Sequence, residues 1–445
     1  MKRHLPFQLV WPLFGMLLGQ CAGVEPRPAA STALPARPET LVRARLPASE
    51  HGETVVDPED GLSPEEAAFL SLERNPRLRA VRTQRGLAQA EIVAAGLLPN
   101  PRFEGAWAGP VGGAEARATG YALDLAWNVT PLVSRGARVQ SAEQRSRAVD
   151  LEVAWQEWQV AQGARLHAIR LVYLGRRITT AREAADYWQG RLRALREARA
   201  AFASTEIQVA RAERSLAEWT LQAQELQRQA MIERAALALA LGLAPAELPA
   251  PQTRWHPPPT AANAADLVAG LETHRMDLVA LGYARRSTDS ALRAAVLSRF
   301  PPIEVGVRAT REVDGVQALE LALQVALPIF DRNQGEVARQ AAQQRQVDAE
   351  YEARLAQARS QVRRLAEELR LVEGERVTAS AAEEAAIRLA SLAERLARSG
   401  DLDPSLASDQ QDRAFQARLR RLRVEQRYAE LQVALSLESG RWLPE

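Results

Sequence analysis

Between Thr119 and Pro131 the apolar residues Tyr121, Leu123, Leu125, Trp127 and Val129 alternate with Ala122, Asp124, Ala126, Asn128 and Thr130. A period of two is that of a strand with one face against an apolar surrounding. About 200 residues later the pattern returns, with Leu319, Leu321, Leu323, Val325 and Leu327 on one side and Ala318, Glu320, Ala322, Gln324 and Ala326 on the other. A shorter alternating strand precedes each, at Phe103 to Ala108 and at Ile303 to Thr310. The spacing predicts two hairpins, one joined through GPVGG (Gly109 to Gly113) and the other through Val313, Asp314 and Gly315.

After each strand pair the period changes. From Ala164 a four-three spacing selects His167, Leu171, Leu174, Ile178, Ala181, Ala185, Trp188, Leu192 and Leu195, and later Tyr351, Leu355, Ala358, Val362, Leu365, Leu369 and Val372. These are coiled-coil seams. Helix from about Ser134 to Ala203, and again from about Gly335 to Arg398, would be on the order of 100 Å long in each case. Returning helices follow, one through Leu216, Trp219, Ala223 and Leu226, the other through Leu419, Leu422, Tyr428, Leu431 and Leu435 on two faces. A helix with two apolar faces needs neighbours on both sides, which predicts a wall of helices rather than an isolated coil.

The chain is duplicated. NPRLRAVRTQ and LLPNPRFE (Asn75 to Glu104) stand over RMDLVALGYA and LSRFPPIE (Arg275 to Glu304). Residues 62–241 are the expected first repeat (helix, β-hairpin, long helical hairpin), 242–263 a Pro-rich linker and 264–440 the second repeat. Residues 1–21 have the charged-then-apolar order of a secretory signal, and 22–61 read as a Pro-rich extended or disordered leader. Cys21, the only cysteine, stands where a bacterial lipoprotein is lipidated, although Gln20 departs from the small residue such signals carry. An incidental cysteine beside a cleaved signal reads equally well.

Beyond the signal no apolar run approaches the length of a membrane helix, so any membrane insertion must be by strands. Four strands per chain cannot close a barrel, which needs at least eight, and an open sheet edge cannot sit in lipid. Three chains would supply twelve. The formal charge of +2 gives no basic field for nucleic acid. No P-loop, dinucleotide fingerprint or nucleophile elbow occurs, and His4, His51, His167, His256 and His274 are scattered, so neither an enzyme nor a cofactor or metal site is expected.

The order of elements, the duplication, LLPNP at Leu97 to Pro101 and above all LPIFDRNQGEVA at Leu327 to Ala338 resemble the TolC family of trimeric outer-membrane efflux ducts, most closely its CzcC and CusC heavy-metal branch. The resemblance spans roughly 62–440. It implies a mainly α homotrimer: a twelve-stranded β-barrel in the cell outer membrane, among its lipids, continued by a long periplasmic α-helical barrel. An adaptor (a membrane fusion protein) and an inner-membrane pump of the RND type open its far tip. The implied function is the exit duct of a tripartite efflux system, with heavy-metal cations as cargo. A non-channel periplasmic adaptor or scaffold is the alternative.

Asp124, Asn128, Glu320 and Gln324 are then expected in the barrel lumen, and Tyr121, Leu123, Leu125, Trp127, Leu319, Leu321, Leu323 and Val325 against lipid. Asp401, Asp403 and Asp409 cluster at the second hairpin tip, where three copies of one would form a cation-favouring gate. Such residues are also ordinary helix caps. By position in the resemblance, Ser204, Thr205, Ile207, Gly400 and Leu402 are the adaptor-contact tip. The first tip, AFASTEIQ, lacks the glycine usual there.

Overall fold

A computed structural model describes residues 61–109, 119–259 and 263–443. The expected signal, the leader, Cys21, His4, His51 and most of the GPVGG turn lie outside the described residues.

Helix α1 (Pro64–Arg74) starts in a capping box, Ser63 Oγ accepting from the Glu66 N–H at 3.1 Å and Glu66 Oε2 from the Ser63 N–H at 2.8 Å. Then come α2 (Pro76–Gly96), β1 (Arg102–Ala108), β2 (Gly120–Asn128), α3 (Pro131–Ala200) and α4 (Glu206–Leu241). The second copy has two short helices, α5 (Ala264–Ala269) and α6 (Leu271–His274), then α7 (Met276–Leu297), β3 (Ile303–Arg311), β4 (Gln317–Val325), α8 (Gln334–Ser399) and α9 (Pro404–Ser439). The long helices have 70 and 66 residues and the returning ones 36 each. Helix makes up 73% of the structure.

The two apolar faces of the long helices are used in two different rows. Near the sheet, α3 lies between α2 and α7, with α8 beyond α7. Towards the hairpin tips α4 and α9 take those places, giving the row α4, α3, α9, α8. The seams close there: Trp188, Trp219, Leu226 and Phe415 share one cluster, and Val362, Leu365, Leu369, Tyr428, Leu431 and Leu435 another. The linker is held to this body. Leu62 N–H donates to Ala250 O at 2.8 Å, the Gln252 N–H to Leu62 O at 3.0 Å, and the Trp255 indole to Glu65 at 2.9 Å. Gly242 ends α4 at φ +63°, where a Cβ would meet Arg74 O at 2.9 Å, so a side chain does not fit.

The strands form one antiparallel sheet in the order β1-β2-β3-β4. The hairpin of each copy is therefore joined to the other through the β2–β3 pairing. β4 ends at Val325, two residues before Leu327: the Ala326 N–H still donates to Pro302 O at 3.1 Å, but Pro302 has no N–H to return the bond. No described helix is long and apolar enough to cross a membrane.

Candidate functional site

Pairing fixes which side chains share a face. Leu123, Ala309 and Leu319 stand in one row, Leu125, Val307 and Leu321 in the next, and Trp127, Val305 and Leu323 in a third. All eight expected lipid-facing residues lie on this side. Along β4 it is bare, Leu321 being 88% exposed, while on β2 Leu125 is exposed and Tyr121, Leu123 and Trp127 are half-buried.

The opposite face carries Asp124, Arg308 and Glu320 in one row and Asn128, Glu304 and Gln324 in another, so the four expected lumen residues share it. Arg308 reaches Asp124 at 3.0 Å and Arg102 reaches Glu304 at 2.7 Å. Glu104, opposite Asp124 on β1, and Glu320 have no ion-pair partner among the described residues. The face is left with an excess of carboxylate.

The tips lie at the other end. Both hairpins turn through one left-handed residue followed, three positions on, by a helix cap. In the second, Gly400 has φ +87° and Asp403 accepts from the Ser405 N–H at 2.6 Å. In the first, Phe202 occupies the left-handed position at φ +57° and Thr205 caps α4 with Gln208 in a capping box. Phe202 is 99% exposed. The missing glycine is thus replaced by a strained, outward-pointing aromatic. Its signal was its position, three before a cap, as Gly400 stands before Asp403.

Of the other tip residues, Ser204 donates to Leu195 O at 2.8 Å, Ile207 is exposed, and the Leu402 N–H closes on Leu396 O at 3.2 Å. Asp401 accepts from the Ser399 hydroxyl at 2.6 Å. The Asp403 carboxyl is held below the usual range by hydrogen bonds from the Ser405 hydroxyl and N–H. Asp409 stands apart from these two, on α9, ion-paired with Arg211 of α4. Higher on α9, Asp412 accepts from the indoles of Trp188 at 3.0 Å and Trp219 at 2.6 Å. These contacts fasten α9 to the first hairpin and were not legible in the sequence.

His167 Nδ1 lies 2.6 Å from Glu233, which also meets Arg170 at 3.3 Å. No group of three or more metal-ligating side chains occurs among the described residues.

No family model and no curated protein matches the sequence. Solved structures do match. The fold is similar to that of the outer-membrane channel OprN, at 18% identity, covering 85% of this chain and 90% of that one with a TM-score of 0.70. CusC, described for its transmembrane channel formation, matches at 15% identity over 85% and 92% of the two chains, TM-score 0.70. The Campylobacter jejuni CmeC outer membrane channel matches at 15% over 86% of each, TM-score 0.70. The fold of these channels is therefore the fold of this chain.

Proposed function

We propose that the chain is a TolC-type exit duct of the outer membrane. Three copies close their sheets into a twelve-stranded barrel, the helices continue it through the periplasm, and the tips dock an adaptor fed by an inner-membrane pump. The observation that carries this reading is the sheet. One face is apolar and, along β4, bare, the other is polar, and β1 and β4 each leave an edge unpaired within the chain. Such a sheet needs apolar surroundings on one side, water on the other, and further strands at both edges. A soluble scaffold or adaptor would leave the apolar face uncovered, and the similar solved structures are channels.

Residues 1–21 hold the export signal in this reading; cleavage before Cys21 would leave it as the lipidated first residue, and cleavage after it would remove an incidental cysteine with the signal. The duct makes and breaks no covalent bond. The carboxylate excess on the polar sheet face and Asp401 and Asp403 at the tip favour cations, which agrees with heavy-metal cargo; a pump of the RND type follows from the resemblance alone.

Conductance across a planar bilayer, with a crosslinking gel on the same sample, tests the proposal. A crosslinked trimer with small, cation-favouring conductance is expected, rising when Asp401 and Asp403 are both changed to Asn. Asn keeps the α9 cap while removing the charge. A soluble monomer without conductance would overturn it.

A further inference from the structure

At the foot of the sheet, where strands give way to the long helices, lies a cleft of about 380 Å³. Three arginines from three different segments line it: Arg138 of α3, Arg299 just past α7, and Arg332 in the loop before α8. None of them is in an ion pair among the described residues. Arg299 and Arg332 each donate Nε to a backbone carbonyl at 3.3 Å, of Arg332 and Pro328 respectively, which anchors the stems. The Arg138 Nε is buried with no partner. The single acid of the lining, Asp331, accepts from the Asn333 N–H at 2.8 Å.

Two further features point the same way. α8 begins at this cleft without a side-chain cap, so one positive helix end joins the guanidiniums, whereas the first N–H groups of α3 are taken by Val129 O and Thr130 O. Ser134, in the first turn of α3, lines the cleft with 5% exposure, and its hydroxyl makes no hydrogen bond among the described residues. An unpartnered hydroxyl, an unsatisfied guanidinium N–H and three unneutralised cations describe a site for a tetrahedral oxyanion, which arginine forks match in shape.

We propose that this cleft binds a phosphate group and, resting on the membrane reading above, that the phosphate is the head group of a phospholipid in the periplasmic leaflet. The surroundings suit a lipid better than a free ion. Phe300 lines the cleft, and beside it Leu327, Ile329 and Phe330 are exposed, Phe330 at 91%. These three follow β4 directly in the chain, and acyl chains would lie along them while the head group enters the cleft, whose lining also includes Asn128 of the polar face.

The test uses the full chain purified in detergent, titrated separately with inorganic phosphate and with short-chain phosphatidylglycerol. Binding is read by native mass spectrometry and thermal midpoint. Saturable binding of phosphatidylglycerol is expected, weakened about tenfold or more in R299Q/R332Q and by less in R299K/R332K, which keeps the charge but loses the fork. Equal binding of inorganic phosphate would keep the phosphate site and overturn the lipid source. No saturable binding of either ligand by the unaltered protein overturns the site, whatever the variants do. Phosphate binding by a protein that conducts nothing would leave the site standing and remove the duct.

Discussion

The wall of helices and the sheet treat their apolar surface in opposite ways. Leu226, Leu435 and Val362 in the wall are fully buried within one chain, whereas Leu319, Leu321 and Leu323 in the sheet face outward along a continuous strip. The wall is closed at its seams but not at its edge helices, where Leu239 of α4 and Val377 and Leu389 of α8 are exposed, and the sheet is bare along β4. An exposed apolar face of this extent marks an interface or a membrane surface, and it locates where the chain depends on its surroundings.

The sharpest break of the comparison is a pair of substitutions. Leu226→Ala should cost about 2 to 5 kcal/mol through lost burial and a cavity, in any solvent, seen as a lowered denaturation midpoint of the helices. Leu323→Arg should cost about 2 to 4 kcal/mol in a bilayer near its midplane, seen as lost assembly of heat-modifiable oligomer, while Gln324→Arg on the polar face is tolerated. Equal tolerance at 323 and 324 would erase the distinction between the faces and with it the barrel.

The same contrast explains what the sequence made legible. Heptad seams and alternation are local patterns repeated over many residues, and the strand faces, the two long helices and their returns follow from them. Strand and helix ends moved by a few residues, because ends depend on single residues such as Pro302, which accepts from Ala326 but has no N–H to carry the pairing further. The single sheet joined through β2 and β3, and the position of α9 beside α3, are pairings across 170 residues or more that no local pattern encodes. At the tips, Asp403 was readable both as a cap and as a gate residue, but the pairing of Asp409 with Arg211 and the convergence of two indoles on Asp412 required the fold. The arginine cleft likewise draws on three segments that carry no common motif.

A smaller effect separates the two tips. Both hold a left-handed residue, and neither Phe202 nor Gly400 packs against anything there. Gly400→Ala should cost about 1 to 2 kcal/mol in backbone strain alone. Phe202→Gly should be neutral or stabilising by up to about 1 kcal/mol, since the strain it relieves exceeds the added freedom of the unfolded chain. If Phe202→Gly folds at least as well as the natural chain yet loses export, the aromatic is kept for a partner at the first tip. Unchanged export would leave the two tips equivalent in function, differing only in how the turn is made.

The smallest effect decides between the cap and the gate at Asp403. Its carboxyl is held below the usual range by the Ser405 hydroxyl and N–H, so the folded state favours the ionised form. A depressed folded value adds stability that is present above the unfolded carboxylate value of about 4 and is lost as pH falls through the folded value. As a cap alone, Asp403 should therefore make the natural chain slightly more stable than Asp403→Asn at pH 7, with the gap in thermal midpoint closing below about pH 4. Three such carboxylates brought together around a closed pore would repel one another and favour protonation instead. The gap would then invert at neutral pH, the Asn variant being the more stable trimer, and would shrink as acid neutralises the ring. The sign of one difference, measured on the assembled trimer across pH 3 to 7, separates a turn that merely caps its helix from one that also closes a pore.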